Sequence, residues 1–293
     1  MAQPPGNRSV RRQPDPIELA AYLLPVVLLV NSITTPYLLT LNLVFAAAIF
    51  AAADVRRNPW TFLVLAACWV PDLVLRWFRH EDHVYLAVYW CLALGLSRLS
   101  ADPVRTLRTH ARLLIGLCFT FAVIAKIRAP EFLDGTLFHF ILLVDHRFRD
   151  AITTIVGGLN SQMVVDNTRI LASLNRWDAI GEVAVLHSPP AVRLVATLMT
   201  LGTVALEGAL AVVFLVPDRV FLARWRHTVL TGFCVAVYFV APVVGFGCLF
   251  LGMGAAQCRL EQPRLRLAYV ALYFGLLNWV FVRHYIFTGS SVI

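Results

Sequence analysis

Apolar windows of about 17 to 25 residues with few or no charges recur along almost the whole chain, each long enough to cross roughly 30 Å of hydrocarbon at 1.5 Å per residue. They fall at 17–33, 36–53, 60–78, 83–99, 111–127, 191–216, 227–254 and 267–287. With 59% hydrophobic and only 14% charged residues, and a mean hydropathy of +0.73, the chain has too little polar surface to coat a water-soluble particle. The pattern predicts an all-α, polytopic integral membrane bundle of about eight transmembrane helices, with interfacial amphipathic helices added.

The interruptions divide the chain. Residues 1–15 are polar, Pro-rich and carry Arg8, Arg11 and Arg12 without the apolar core of a signal peptide, so a disordered cytoplasmic tail is expected, followed by one transmembrane domain over 16–293. The turn Thr34-Thr35-Pro36 separates the first two spans. Pro71, Pro242 and the Gly245/Gly247 pair lie inside apolar runs, where they should kink a helix rather than end it. Residues 128–190 are mixed in character, with Gly157-Gly158, Asn175 and Pro189-Pro190, and read as amphipathic helices lying on, or re-entering, one membrane face.

The distribution of Arg over short loops favours a cytoplasmic N-terminus; the membrane expected is a bacterial-type plasma membrane. That orientation puts Arg56, Arg57, Arg98, Arg105, Arg108, Arg112, Arg219, Arg224, Arg226 and Arg283 inside. The net charge of +8 points to the lipid bilayer and its anionic headgroups rather than to nucleic acid, because the arginines are scattered over several loops and form no continuous basic groove. The six cysteines stand singly, mostly in apolar spans, and read as buried small hydrophobes rather than disulfides or zinc ligands. His139 and His146, seven residues apart, lack the acidic partners or spacing of a metal site, and no metal is expected.

Ionisable groups at membrane depth are costly and mark function by default. Asp72 and Arg76, four residues apart, form one helix face and predict an intrahelical ion pair, with a polar path for a solute as the other reading. Glu207 has no charged neighbour on its own span, so it is protonated, faces a wet cavity, or pairs with a cation from elsewhere, such as Lys126 or an Arg of 128–190. Lys126 is the single lysine among 25 Lys and Arg. A cation kept as Lys where Arg otherwise serves suggests proton loss, which an amine allows and a guanidinium does not; a snorkelling cation at a helix end is the competing reading. Asp82 and His83 open a span, with Asp82 as N-cap and His83 at the positive end of the helix dipole.

Asp82-His83-Val84-Tyr85-Leu86 at the start of a membrane helix resembles the Asn-His-x-Tyr-Leu motif of the vitamin K-dependent γ-carboxylase superfamily and its bacterial HTTM (horizontally transferred transmembrane) relatives. Some forty residues on, the segment from Ala125-Lys126 through Phe132 to Asp134-Gly135 is similar to that family's Lys-to-Gly signature; Leu206-Glu207 resembles the acidic residue of a following helix, and Gly245 to Met253 its late glycine-bearing helix. The likeness spans about 80–253. It departs from the family in three places: one residue is inserted between Lys126 and Gly135, the motif's Asn is Asp82, and Cys234 stands where a His is expected.

The resemblance implies a reduced quinone of the vitamin K or menaquinol type as cofactor. Lys126 would be the base that deprotonates it before reaction with O2, and His83 would position CO2 or steady a developing anion. Asp82, Tyr85, Glu207, Asp134, Gly135, Asp72 and Arg76 would support this polar cavity. No soluble domain able to grip a peptide is visible before Ile293, so the expectation is a quinone-linked enzyme, γ-carboxylase-like, acting on a small or lipidic substrate. Two other classes stay open: a small-solute transporter using Asp72, Arg76 and Glu207 as a polar path, and a non-catalytic DoxX-like accessory subunit in which Lys126 is replaceable by Arg.

Overall fold

The computed structural model describes residues 15–288 apart from 34, 146, 149–152, 154–158, 175–182, 184 and 239. His146, Asn175, Gly157-Gly158 and the 1–14 tail thus lie outside the described residues. Those described form helices and no strand: α1 (Pro16–Ser32), α2 (Pro36–Ala51), α3 (Ala53–Arg57), α4 (Pro59–Leu75), α5 (Asp82–Leu99), α6 (Pro103–Arg128), α7 (Pro130–Leu133), α8 (Thr136–Val144), α9 (Ser161–Leu174), α10 (Pro190–Leu215), α11 (Arg226–Tyr238), α12 (Val244–Gln257) and α13 (Pro263–Thr288). Short 3₁₀ turns cover Trp77–Arg79 and Phe221–Trp225.

Helix starts follow from local chemistry. Pro16, Pro36, Pro59, Pro103, Pro130, Pro190 and Pro263 each take the first position, where the missing N–H costs nothing and φ is already helical. Side chains of Asp15, Asn58 and Asp102 accept from the free backbone N–H groups of Ile17, Trp60 and Arg105.

Among the described residues two helices, α6 and α10, each of 26 residues, are long and apolar enough to cross a membrane. The protein itself buries only 22% and 28% of their apolar windows, so they do not behave as the core helices of a water-soluble fold. Shorter apolar helices are α1, α2, α4 and α12. The expected span 227–254 is not one helix. The apolar run 227–254 is broken into α11 and α12, because Pro242 has no N–H to donate and pushes the preceding residue out of the helical region; here proline ends the helix rather than kinking it. Pro71, by contrast, stays within α4.

The centre of the bundle is α12, buried on nearly every side and packed by α1, α5, α6, α11 and α13. The most extensive packing joins α6 to α10, which run antiparallel: Gly116 lies against Phe214 and Leu215, and Arg112 reaches Asp218. Helices α5 and α6 are likewise antiparallel, with Ser97 Oγ 3.1 Å from His110 Nδ1. One end of the bundle therefore gathers the start of α5, the end of α6 and the end of α4. The other gathers the start of α6, the end of α10 and the start of α11. Within 128–190, α8 packs on α9 and α10 around Leu142, Leu143, Val164, Val192 and Ala196.

Candidate functional site

Lys126 and Glu207, 81 residues apart, meet where α6 and α10 cross. Lys126 Nζ donates to both carboxylate oxygens, at 2.6 Å and 2.8 Å, so of the three openings for Glu207 the structure takes the interhelical pair. Their side chains retain 22% and 10% exposure, so the pair is shielded but reachable. Phe132, from the short α7, lies 5.5 Å from the ammonium, within cation–π range, and is itself buried against Phe138.

The turn that delivers Phe132 depends on Gly135, whose φ of 81° is a conformation L-residues rarely adopt. Asp134 closes this turn: its carboxylate accepts from the Thr136 backbone N–H at 2.8 Å, and that hydrogen bond holds its pKa below the ordinary range. Asp134 is exposed and Gly135 packs near Thr197, so both shape the segment beyond Lys126 rather than touch the amine.

A second polar centre lies at the same end of the bundle. Asp72, almost wholly buried, receives the Tyr37 hydroxyl, stands 2.6 Å from His80 Nε2 and 3.4 Å from Arg76 Nε. The expected Asp72–Arg76 pair is thus one arm of a four-residue cluster. His83 lines the same cavity of about 490 Å³, together with Asn31, Arg79, Glu81 and Gly245. Its ring stands 5.2 Å from Phe246, and its Nδ1 lies 3.3 Å from Glu81 Oε2. Asn31 Nδ2, Asp72 Oδ2, His80 Nε2 and His83 Nδ1 are all buried without a well-aligned hydrogen-bond partner, because the close His80–Asp72 and His83–Glu81 approaches are off-axis. A Cβ on Gly245 would run into the His83 ring, so glycine is needed for α12 to come this close.

The helix cap differs from expectation. Asp82 is the first residue of α5, not its cap; Glu81 occupies the cap position with no side-chain bond to the helix. Tyr85 points back to the end of α4, with its hydroxyl 3.4 Å from Trp77 O and 3.5 Å from Leu73 O. Neither Lys126 nor Glu207 lines the cavity that holds His83, Asp72 and Arg76. From the His83 ring an aromatic series runs into the bundle, in which Phe246 stacks on Phe250, Phe250 stacks on Phe119 at 4.8 Å, and Phe119 meets Phe233 edge-on.

In the sequence His80 stood out only as the first residue of the polar run His80-Glu81-Asp82-His83 at the edge of a span. Sequence reasoning missed Asn31 and Tyr37, which carry no formal charge and give no signal in a count of membrane charges. It also missed Glu18, half a turn inside α1, which takes Arg56 at 2.7 Å and Arg98 at 3.4 Å. A larger correction concerns the arginines. Those of the start of α6, the 216–226 connection and the loop after α12 are not scattered in space: Arg105, Arg108, Arg112, Arg219, Arg224, Arg226 and Arg259 line one cavity of about 970 Å³. Antiparallel packing of α6 on α10 brings together loops that are far apart in sequence. Among the described residues no group of three or more His, Cys, Asp or Glu is placed to hold a metal. No protein-family model, curated protein or solved structure matches the chain.

Proposed function

We propose that this chain is a polytopic membrane protein of about eight spans whose Lys126–Glu207 pair is the base of a quinol-linked enzyme, in the manner of the γ-carboxylase-like and HTTM proteins that its motifs resemble. The observation that carries the reading is the placement of the only lysine: held on both oxygens of Glu207, between two membrane-length helices, under Phe132. Within such a pair the proton can pass from the ammonium to the carboxylate over 2.6 Å, leaving a neutral amine that a guanidinium could not supply.

Apolar residues left exposed beside the pair, Phe121, Ile124 and Ile127 on α6 and Leu201 and Leu206 on α10, suit the approach of an isoprenoid quinone from the bilayer. When bound, the reduced quinone supplies the hydroxyl to be deprotonated and the electrons for O2. The chain supplies the proton acceptor at Lys126 Nζ, with Glu207 as its relay. The His83 cavity, where the His83 ring meets Phe246, would take the small co-substrate; its size and its buried, unaligned polar atoms support that role. The absence of Glu207 from the lining of that cavity weighs against a transporter path through Asp72, Arg76 and Glu207. The arginine-rich end is the cytoplasmic one in this reading, with the N-terminus on the same side.

Lys126→Arg tests the proposal, because it keeps the cation and the pair but forbids proton loss. With purified protein in nanodiscs and reduced menaquinone under O2, the variant should melt like wild type and lose quinol consumption by about a hundredfold or more. A wild type that consumes no quinol, or a variant that consumes it as fast, would make the pair a pin between helices and the chain an accessory subunit.

A further inference from the structure

The arginine cavity has no part in that chemistry. It lies at the opposite end of α6, about 21 Å along the helix from Lys126 if measured from Arg112. Three of its arginines, Arg105, Arg108 and Arg112, stand on one face of α6; Arg219, Arg224 and Arg226 come from the connection to α11, and Arg259 from the loop after α12. Only two carboxylates, Asp102 and Asp218, line the same space. Asp218 receives Arg226 and stands 3.4 Å from Arg112. Topology alone asks for arginines on this side of the membrane, but not for seven of them to face one another. Like charges converging on one cavity repel, and the arrangement is relieved when an anion occupies it.

The donors are also pre-set. Arg226 is nearly buried, with Nε fixed on Val213 O at 2.7 Å and its other two nitrogens given to Asp218 and Val216 O, so it walls the cavity as a fixed positive charge; Arg108 Nε is fixed on Gln257 O at 3.1 Å. Arg224 is stacked 3.2 Å over Phe221. Arg112 Nε is buried with no acceptor. Planar guanidinium forks held in this way match phosphate oxygens in pairs. The volume exceeds what one inorganic phosphate fills, and Phe221 of its lining, with Leu222 and Trp225 beside it in sequence, is exposed and apolar, as at a membrane interface.

We infer that the Arg105–Arg112–Arg226 cavity is a binding site for a phosphate-bearing anion, of the diphosphate or phosphate-ester class. The same chemistry is offered by a soluble phosphate compound and by an anionic lipid headgroup, and two arms separate them. In the first, wild type in phosphatidylcholine nanodiscs is titrated with inorganic pyrophosphate at constant ionic strength while its melting temperature is followed. In the second, phosphatidylglycerol replaces part of the phosphatidylcholine and bound lipid is counted by native mass spectrometry.

The variants are the double substitution Arg105→Gln/Arg112→Gln, its Lys counterpart Arg105→Lys/Arg112→Lys, and a charge-matched control outside the cavity, Arg128→Gln/Arg193→Gln. A saturable response should weaken by about tenfold or more in the Gln pair, less in the Lys pair, and not in the control. Response to pyrophosphate assigns a soluble ligand, and response only to phosphatidylglycerol assigns a headgroup. Absence of saturation in both arms, or equal loss in the control, would overturn the site. Should the Gln pair fail to fold, the Lys pair decides: the loss of the fork at unchanged charge must still weaken binding.

Discussion

At one end of the bundle Lys126 is held by Glu207, and Arg76 and His80 by Asp72; at the other, seven arginines share a cavity with two aspartates. The carboxylates differ in depth: Glu207 and Asp72 keep 10% and 1% side-chain exposure, whereas Asp218, which takes Arg226 and Arg112, keeps 70%. In a medium of low dielectric an unmatched charge is costly, so each deep ion must find its partner in the fold. At an open cavity, water and anions do that work, and a surplus of one sign can be kept for a ligand.

Breaking the matched end should cost most. Glu207→Ala strands the Lys126 ammonium and should lower the unfolding free energy by about 3 kcal/mol, while Lys126→Met/Glu207→Met together should recover most of that loss. Chemical unfolding of the detergent-solubilised variants reads both. Asp72→Ala leaves Tyr37, Arg76 and His80 without their common acceptor and should cost about 2 kcal/mol in the same assay. Gly245→Ala places a methyl group into the His83 ring and 2.8 Å from Asn31 Oδ1, for about 1–2 kcal/mol and a distorted cavity.

How much of this contrast was legible in the sequence depends on how far apart the contributing residues lie. Hydropathy runs placed α6 and α10, and the spacing of Asp72 and Arg76 placed their pair, because each signal sits within one helix. The Lys126–Glu207 contact was one of three openings, since nothing in either helix alone decides which cation a lone Glu finds. The arginine cavity was misread as scattered charge because its residues belong to α6, α11 and the connecting loops, and only the antiparallel register of α6 and α10 superposes them. Pro242 was misjudged because a proline kinks a helix or ends it according to what surrounds it, as Pro71 within α4 shows. Glu18 was overlooked because it sits in the first turn of α1, where a carboxylate suits the helix dipole and draws no notice.

The unmatched end should respond weakly and in the opposite direction. Without added phosphate, Arg105→Gln relieves repulsion and should stabilise the protein by a few tenths of a kcal/mol at low salt, an effect that fades as salt is raised. The smallest effect is acid titration of Asp218. The hydrogen bond from Arg226 holds its carboxyl below the ordinary value of 3.8. Its contribution is therefore present above about pH 4 and lost as pH falls through the folded-state value, so wild type should melt above Asp218→Asn by a constant small margin from pH 7 to about pH 4, and that margin should close below it as Asp218 takes up its proton.

The central claim is that the amine of Lys126 works at its own place on α6, and not merely as half of an ion pair. Exchanging the partners, Lys126→Glu/Glu207→Lys, keeps the pair and moves the amine to α10. Quinol consumption under O2 is then measured beside the melting temperature. A protein that melts within a few degrees of wild type but no longer consumes reduced menaquinone is the predicted result. An exchanged protein that turns the quinol over at the wild-type rate would contradict the claim.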